Sequence, residues 1–147
     1  FAIAAAGAVA LGACSDDPTG LEEHADPTGV ELELNGVVIA SYQAGQGWTG
    51  ELEVLEGEET AHIEVTFVDE DGDPIELDDD VYLEVEIEDE AIAEFEQDTP
   101  GEFGGHLHGV AQGETDATFR LMHGAVGSGH ADFETTSVHV HVEVPTT

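Results

Sequence analysis

From Val30 nearly to the end of the chain, apolar and polar side chains alternate with a period of two. Successive side chains of an extended strand point to opposite faces, so this pattern predicts strands with one buried face. Val30-Glu31-Leu32-Glu33-Leu34 is the first, and Asn35-Gly36 predicts a tight hairpin into Val37 to Tyr42. Gly45, Gly47 and Gly50 bracket Trp48, a stretch that reads as a loop. Leu52 and Val54 open another strand, Ala61, Ile63, Val65 and Phe67 mark one face of the next, and Asp69 to Pro74 turns the chain. Val81, Leu83, Val85 and Ile87 alternate again, with Glu84, Glu86 and Glu88 opposite them. Ile92 and Phe95 read as buried, and Leu107 and Val110 follow a glycine-rich bend. Thr115, Ala117, Phe119 and Leu121 form one face of a strand, as do Val138, Val140, Val142 and Val144 at the end. No segment keeps a helical period. Strands apolar on one face and acidic on the other suit antiparallel sheets wet on one side, and two such sheets pack face to face. The expected fold is an all-β, antiparallel sandwich over residues 30–145.

The chain before Val30 has a different chemistry. Residues 14–29 contain Asp17-Pro18-Thr19-Gly20 and then Asp26-Pro27-Thr28-Gly29, a short repeat of turn-forming residues almost without apolar side chains. Such a segment cannot offset the entropy of ordering and reads as an acidic flexible tether. Residues 1–13 carry no charge and consist, after Phe1, of small or aliphatic side chains. That run suits the apolar stretch of a secretory signal peptide and is too short to span a bilayer, which needs ~20 residues. Its end, Leu11-Gly12-Ala13-Cys14, resembles a bacterial lipobox. The resemblance implies cleavage before Cys14 and acylation of its thiol, and two or more acyl chains hold a protein stably on a membrane. The basic flank and initiator Met of such a leader are missing, so the chain is expected to start a few residues late. Ser15 after the lipidated position, rather than Asp, leans toward the outer membrane where an organism has two.

Two stretches resemble bacterial immunoglobulin-like domains. One is Val65-Thr66-Phe67-Val68-Asp69-Glu70-Asp71-Gly72-Asp73-Pro74-Ile75, a strand, an Asp/Gly turn and a Pro-Ile. The other joins Glu90-Ala91-Ile92-Ala93 to His108-Gly109-Val110-Ala111-Gln112-Gly113-Glu114-Thr115-Asp116-Ala117-Thr118-Phe119, similar to the group 2 members. The resemblance covers about half of the globular part. It implies a seven-stranded immunoglobulin-like β-sandwich of the kind used in adhesins and envelope proteins, without catalytic residues. The histidine content is a departure from that family.

Charge narrows the partners. Thirty-five Asp and Glu face a single base, Arg120, for a formal net charge of −34. That field repels nucleic acid and anionic headgroups, so membrane attachment must come from the lipid. The acidity keeps a secreted protein soluble, suits a saline habitat, or attracts divalent cations. Cys14 is the one cysteine, so it leaves neither an internal disulfide nor a second thiol for catalysis or metal. No lysine is present to serve a phosphate loop, and Gly127-Ser128-Gly129 lacks the leading glycine of a nucleophile elbow because position 126 is Val. An enzyme is not expected.

Histidine is the remaining chemistry. His106 and His108 flank Leu107, His139 and His141 flank Val140, and His123 and His130 flank Gly124 to Gly129 as a prospective cross-strand pair. On a strand, residues two apart share a face, so each His-x-His can present two imidazoles to one Zn²⁺, Cu²⁺ or Ni²⁺. Asp132, Glu134 or Glu143 could complete a ligand set. In an immunoglobulin-like order the 106–108 strand and the last strand fall in different sheets, which argues against one six-histidine site. A four-ligand site at the 123–130 loop with His106 or His108 remains open, as does simple decoration of exposed strand faces. His24 and His62 stand alone and read as unremarkable. Asp69, Asp71 and Asp73 surround Gly72 but miss the helix-loop-helix calcium pattern, leaving a hairpin-tip Ca²⁺ site as a lesser reading. Asp78-Asp79-Asp80 reads as a solvated loop.

The sequence therefore predicts a lipid-anchored, non-catalytic binding or structural module of the cell envelope, with a protein or glycan partner. The alternative is an envelope metal-binding lipoprotein that sequesters or delivers Zn²⁺, Cu²⁺ or Ni²⁺ through His106, His108, His123, His130, His139 and His141. A third reading uses the same histidines as a pH sensor, with tighter self-association in mild acid.

Overall fold

The computed structural model describes residues 26–146. The leader, Cys14 and the tether up to residue 25 lie outside the described residues. Eleven strands follow in order: β1 (Gly29–Leu34), β2 (Val37–Gln43), β3 (Gly47–Gly50), β4 (Leu52–Leu55), β5 (Ile63–Val68), β6 (Val81–Ile87), β7 (Ala93–Glu96), β8 (Gly104–Gly109), β9 (Gly113–His123), β10 (His130–Glu134) and β11 (Val138–Glu143). No helix occurs among the described residues.

The strands form two sheets. The first has the order β3-β2-β1-β5-β8-β7, and the second has β10-β9-β11-β4, with β6 on the other edge of β9. The run β1-β5-β8-β7 against β6-β9-β10/β11 is the A-B-E-D against C-F-G arrangement of an immunoglobulin sandwich. β2 and β3 extend the first sheet beyond it, so there are more strands than the seven that the resemblance implies. Inward-facing residues of both sheets form one core, with Leu32, Ile63, Phe67 and Leu107 from the first and Leu83, Phe119, Val138 and Val140 from the second almost wholly buried. Burial of each such side chain contributes about 1.5–3 kcal/mol, which is why the alternating pattern dictates the fold.

Local chemistry explains most elements. Asn35 (φ 53°) and Gly36 (φ 80°) supply the two positive backbone angles that a two-residue hairpin needs between β1 and β2. The Trp48 segment is a strand rather than the expected loop. Gly50 (φ +87°) allows β3 to close on β2, since a Cβ there would lie 3.0 Å from Ala40 Cα and collide with the Ile39 carbonyl. Trp48 then leans across the sandwich. Its ring centroid lies 5.5 Å from Tyr42 and 5.8 Å from Phe119, and Nε1 donates to the Thr136 carbonyl (2.7 Å).

β10 and β11 run along the same edge of β9 and are interrupted twice. The first register shift falls between Ala131 and Phe133, so Asp132 is the inserted residue. The second falls at 135–137, where four steps from Glu134 to Val138 match three on β9, from Arg120 to Ala117. Bulges of this kind bend a strand and re-aim side chains.

Other details differ from the pattern-based expectation. β4 and β11 pair parallel, whereas every other strand pair is antiparallel. β4 continues β3 after the single residue Glu51 and changes sheets without a hairpin, so its direction is inherited rather than reversed. Sheet hydrogen bonding extends slightly before Val30, because the Thr28 amide already donates to the Val68 carbonyl. Ala61, Val110 and Val144 are exposed, each lying just outside a strand end where alternation no longer fixes a face. Ile92 and Phe95 are half-buried at the sandwich margin rather than buried. Tyr82 and Met122 are buried outside the inter-sheet core, where the Gly129 amide donates to the Tyr82 hydroxyl (3.2 Å).

Candidate functional site

All seven histidines among the described residues have a ring nitrogen 2.7–3.9 Å from a carboxylate oxygen. In a chain with one arginine and no lysine, imidazoles take the place of the usual basic partners. They fall into three groups.

The first group lies on the outer face of the first sheet. Leu107 turns into the core, so His106 and His108 project outward on either side of it. Thr60 fixes this part of β8: its amide donates to the Leu107 carbonyl (2.9 Å) and its hydroxyl accepts the Leu107 amide (3.0 Å). The Thr60 carbonyl also accepts His106 Nδ1–H (2.9 Å). That bond, with the negative Asp98 and Glu59 nearby, holds the His106 pKa above its ordinary value despite partial burial. His106 Nε2 is 3.4 Å from Asp98 Oδ2, and His108 Nε2 lies between Glu59 (3.1 Å) and Glu96 (3.2 Å).

His62 is not solitary. β5 and β8 pair Ile63 with Gly105, which brings the His62 ring edge-on to His106 at 5.4 Å between centroids. A ligand atom each from His62, Asp98 and Glu102 lies within 4.8 Å of the others. The 97–102 loop is fixed by its own polar groups: Glu102 Oε1 accepts the amides of Asp98 and Thr99, and Gln97 Nε2 donates to the Leu83 and Glu102 carbonyls. A Cβ at Gly104 would lie 2.8 Å from His62 Nε2, so the glycine leaves room for that ring.

The second group closes one end of the second sheet. His123 and His130 are direct cross-strand partners, as their spacing predicts, with ring centroids 5.3 Å apart. His123 Nε2 is 2.7 Å from Asp80 Oδ2, and Nδ1 is 3.2 Å from Asp132 Oδ2, while His130 Nε2 is 3.1 Å from Asp132 Oδ1. The hydrogen bond to Asp80 and the two carboxylate charges raise the His123 pKa, because both ring nitrogens donate best as imidazolium. Asp80, in the run read as solvated loop, is thus a direct partner of the cluster. Beside it, an open cavity of about 520 Å³ is lined by Ile75, Leu77, Val81, Leu121 and Asp132.

The third group lies on the outer face of β11. His139 meets Glu114 (3.5 Å) and Asp116 (3.7 Å), and His141 meets Glu143 (3.9 Å), with Glu53 close enough to share a ligand position. Their rings are 6.5 Å apart. Arg120, on the same sheet, is held by Glu84 (3.2 Å), Glu86 (2.7 Å) and Glu134, which drives its pKa further upward.

The six histidines singled out by spacing therefore do not converge. His106 and His108 belong to the first sheet, and His123, His130, His139 and His141 to the second. The four-ligand set joining the 123–130 loop to His106 or His108 does not assemble; His106 meets His62, Asp98 and Thr60 instead. Glu134 is committed to Arg120, whereas Asp132 does approach the histidine pair. Asp69 Oδ1 accepts the amides of Asp71 and Asp73, so that carboxylate caps its own turn. Spacing alone missed His62, Asp80, Asp98 and Glu102. The available signal was Gly104-Gly105 inside a strand, which marks a close approach by another group.

No family model matches the chain. No curated protein matches it either. Among solved structures, the chain is similar to domains 4 and 5 of the S-layer protein SbsC, at 20% identity and a TM-score of 0.47 over 65% of this chain and 49% of that one. It is also similar to domains 5–6 of SbsC, at 19% identity and a TM-score of 0.49 over 67% and 42% of the two chains. The chain spans less than half the length of these structures.

Proposed function

We propose that this protein is a lipid-anchored, non-catalytic β-sandwich module of the bacterial cell envelope that presents its faces to a protein or glycan partner. The observation that carries this reading is Leu11-Gly12-Ala13-Cys14 followed by an acidic linker and then a self-contained sandwich. The acyl chains supply membrane affinity that the −34 charge opposes, and the linker gives the sandwich reach. The test is metabolic labelling with palmitate of the full chain, expressed in a bacterial host behind a basic lipoprotein leader segment. Label is expected in the wild type and absent from Cys14→Ala. Label that persists in Cys14→Ala refutes the anchor.

A second reading is metal handling at the envelope, favoured by the convergence of imidazoles and carboxylates within 4.8 Å at more than one place. Stoichiometric Zn²⁺, Cu²⁺ or Ni²⁺ uptake by the full chain supports it, and salt-screened association without stoichiometry refutes it.

A further inference from the structure

We infer that His62, His106, Asp98 and Glu102 form a binding site for a divalent transition cation of the Zn²⁺ class on the outer face of the first sheet. The inference deepens the metal-handling reading and rests on it. Its first support is donor chemistry. Two imidazoles and two carboxylates make a four-membered nitrogen and oxygen set, the kind Zn²⁺ takes tetrahedrally, whereas Ca²⁺ and Mg²⁺ prefer oxygen alone.

Orientation is the second support. His106 gives Nδ1–H to the Thr60 carbonyl, which leaves the Nε2 lone pair directed toward Asp98. A backbone carbonyl on the far nitrogen is the arrangement that fixes tautomer and ring angle in metal-bound histidines. Glu102 is pinned by two backbone amides, and Gly104 clears the space beside His62. His106 and Glu102 are thus the fixed half of the site. Asp98 (63% exposed) and His62 (42%) are the movable half. Bonds of about 2.0–2.2 Å to one ion place ligand atoms roughly 3.3–3.5 Å apart. A ligand atom each from His62, Asp98 and Glu102 already lies within 4.8 Å of the others, and His106 Nε2 is 3.4 Å from Asp98, so rotation of the two exposed side chains is what the set needs to close.

The third support is unbalanced charge. The chain's one arginine is engaged by three glutamates of the second sheet, and the chain has no lysine, so no Lys or Arg side chain is left to neutralise Asp98 and Glu102. The competing clusters are less suited. At His123 both ring nitrogens already face carboxylates, Asp80 at 2.7 Å and Asp132 at 3.2 Å, in contrast to His106, whose Nδ1 is taken by a backbone carbonyl.

The experiment uses the full chain, stripped with chelator and titrated with Zn²⁺ by calorimetry and with Co²⁺ by visible absorption. One tight equivalent is expected, with the intense d–d bands of four-coordinate Co²⁺. Asp98→Asn removes an exposed ligand without touching the core, and it and His62→Ala should each weaken binding at least ~10-fold. Circular dichroism confirms that both variants remain folded. Tight binding that survives both variants but disappears in His123→Ala/His130→Ala overturns this site and leaves the metal-handling reading standing at the other end. Absence of stoichiometric binding overturns both.

Discussion

Thr135 offers a direct test of how the interrupted edge strand stays attached to β9. It is 4% exposed and sits in the second interruption, where the backbone has slipped out of step. Its amide donates to the Phe119 carbonyl (3.0 Å), and its hydroxyl accepts the Phe119 amide (3.1 Å), replacing the carbonyl that an unbroken ladder would have supplied. Thr135→Val keeps the shape and opens no cavity, but it leaves a buried N–H without an acceptor. An unsatisfied buried donor costs about 1–3 kcal/mol. For a domain of this size that lowers the thermal midpoint by roughly 3–12 °C. Urea unfolding at constant ionic strength is the assay, with an unchanged m-value as the check that the compactness of both end states is preserved. Thr135→Ser retains the acceptor, loses one methyl, and should cost only about 0.5–1.5 kcal/mol. The sign for valine is decisive. If the hydroxyl were not serving Phe119, burying a methyl in its place would be neutral or stabilising. A Thr135→Val protein within ~0.5 kcal/mol of wild type, or above it, refutes the reasoning.

Three further outcomes follow from the same geometry. Arg120→Gln leaves Glu84, Glu86 and Glu134 facing one another and should destabilise by about 1–3 kcal/mol, between exposed and buried ion-pair values, with the deficit shrinking as salt is raised in urea titrations. Asn35→Val forces a β-branched residue to φ 53° and should cost about 1–2 kcal/mol by denaturant unfolding, whereas Asn35→Gly should be close to neutral. For His123, whose folded pKa is raised, the stabilisation is complete below the unfolded value of about 6.5 and fades as pH rises through the folded value. In metal-free buffer, the thermal midpoint should therefore rise on going from about pH 8 to about pH 6, and by less in His123→Gln, with the partners Asp80, Asp132 and His130 left in place.

Period-two alternation was enough to specify an all-β chain, because each strand can bury only one face and the apolar residues sit on alternate positions. Val30 to Leu34, Ile63 to Phe67 and Thr115 to Leu121 all present the predicted face to the core. Asn35-Gly36 encodes its hairpin locally, since few residue pairs tolerate two positive φ angles. The cross-strand meeting of His123 and His130 was legible for the same reason, because a short connection between consecutive strands sets its own register. Alternation does not encode which distant strands become neighbours. Strand order comes from how the whole set of faces packs, and it placed Ile63 opposite Gly105, carrying His62 to His106 across a long stretch of sequence. The same global packing made β4 parallel to β11, turned the glycine-flanked Trp48 segment into an edge strand closing the core, and sent the three histidine pairs to separate surfaces. The sequence by itself determined the faces, the turns and the chemistry available. The tertiary structure decided which side chains meet, because long-range contacts are fixed by the packing of two sheets and not by the spacing of residues within one strand.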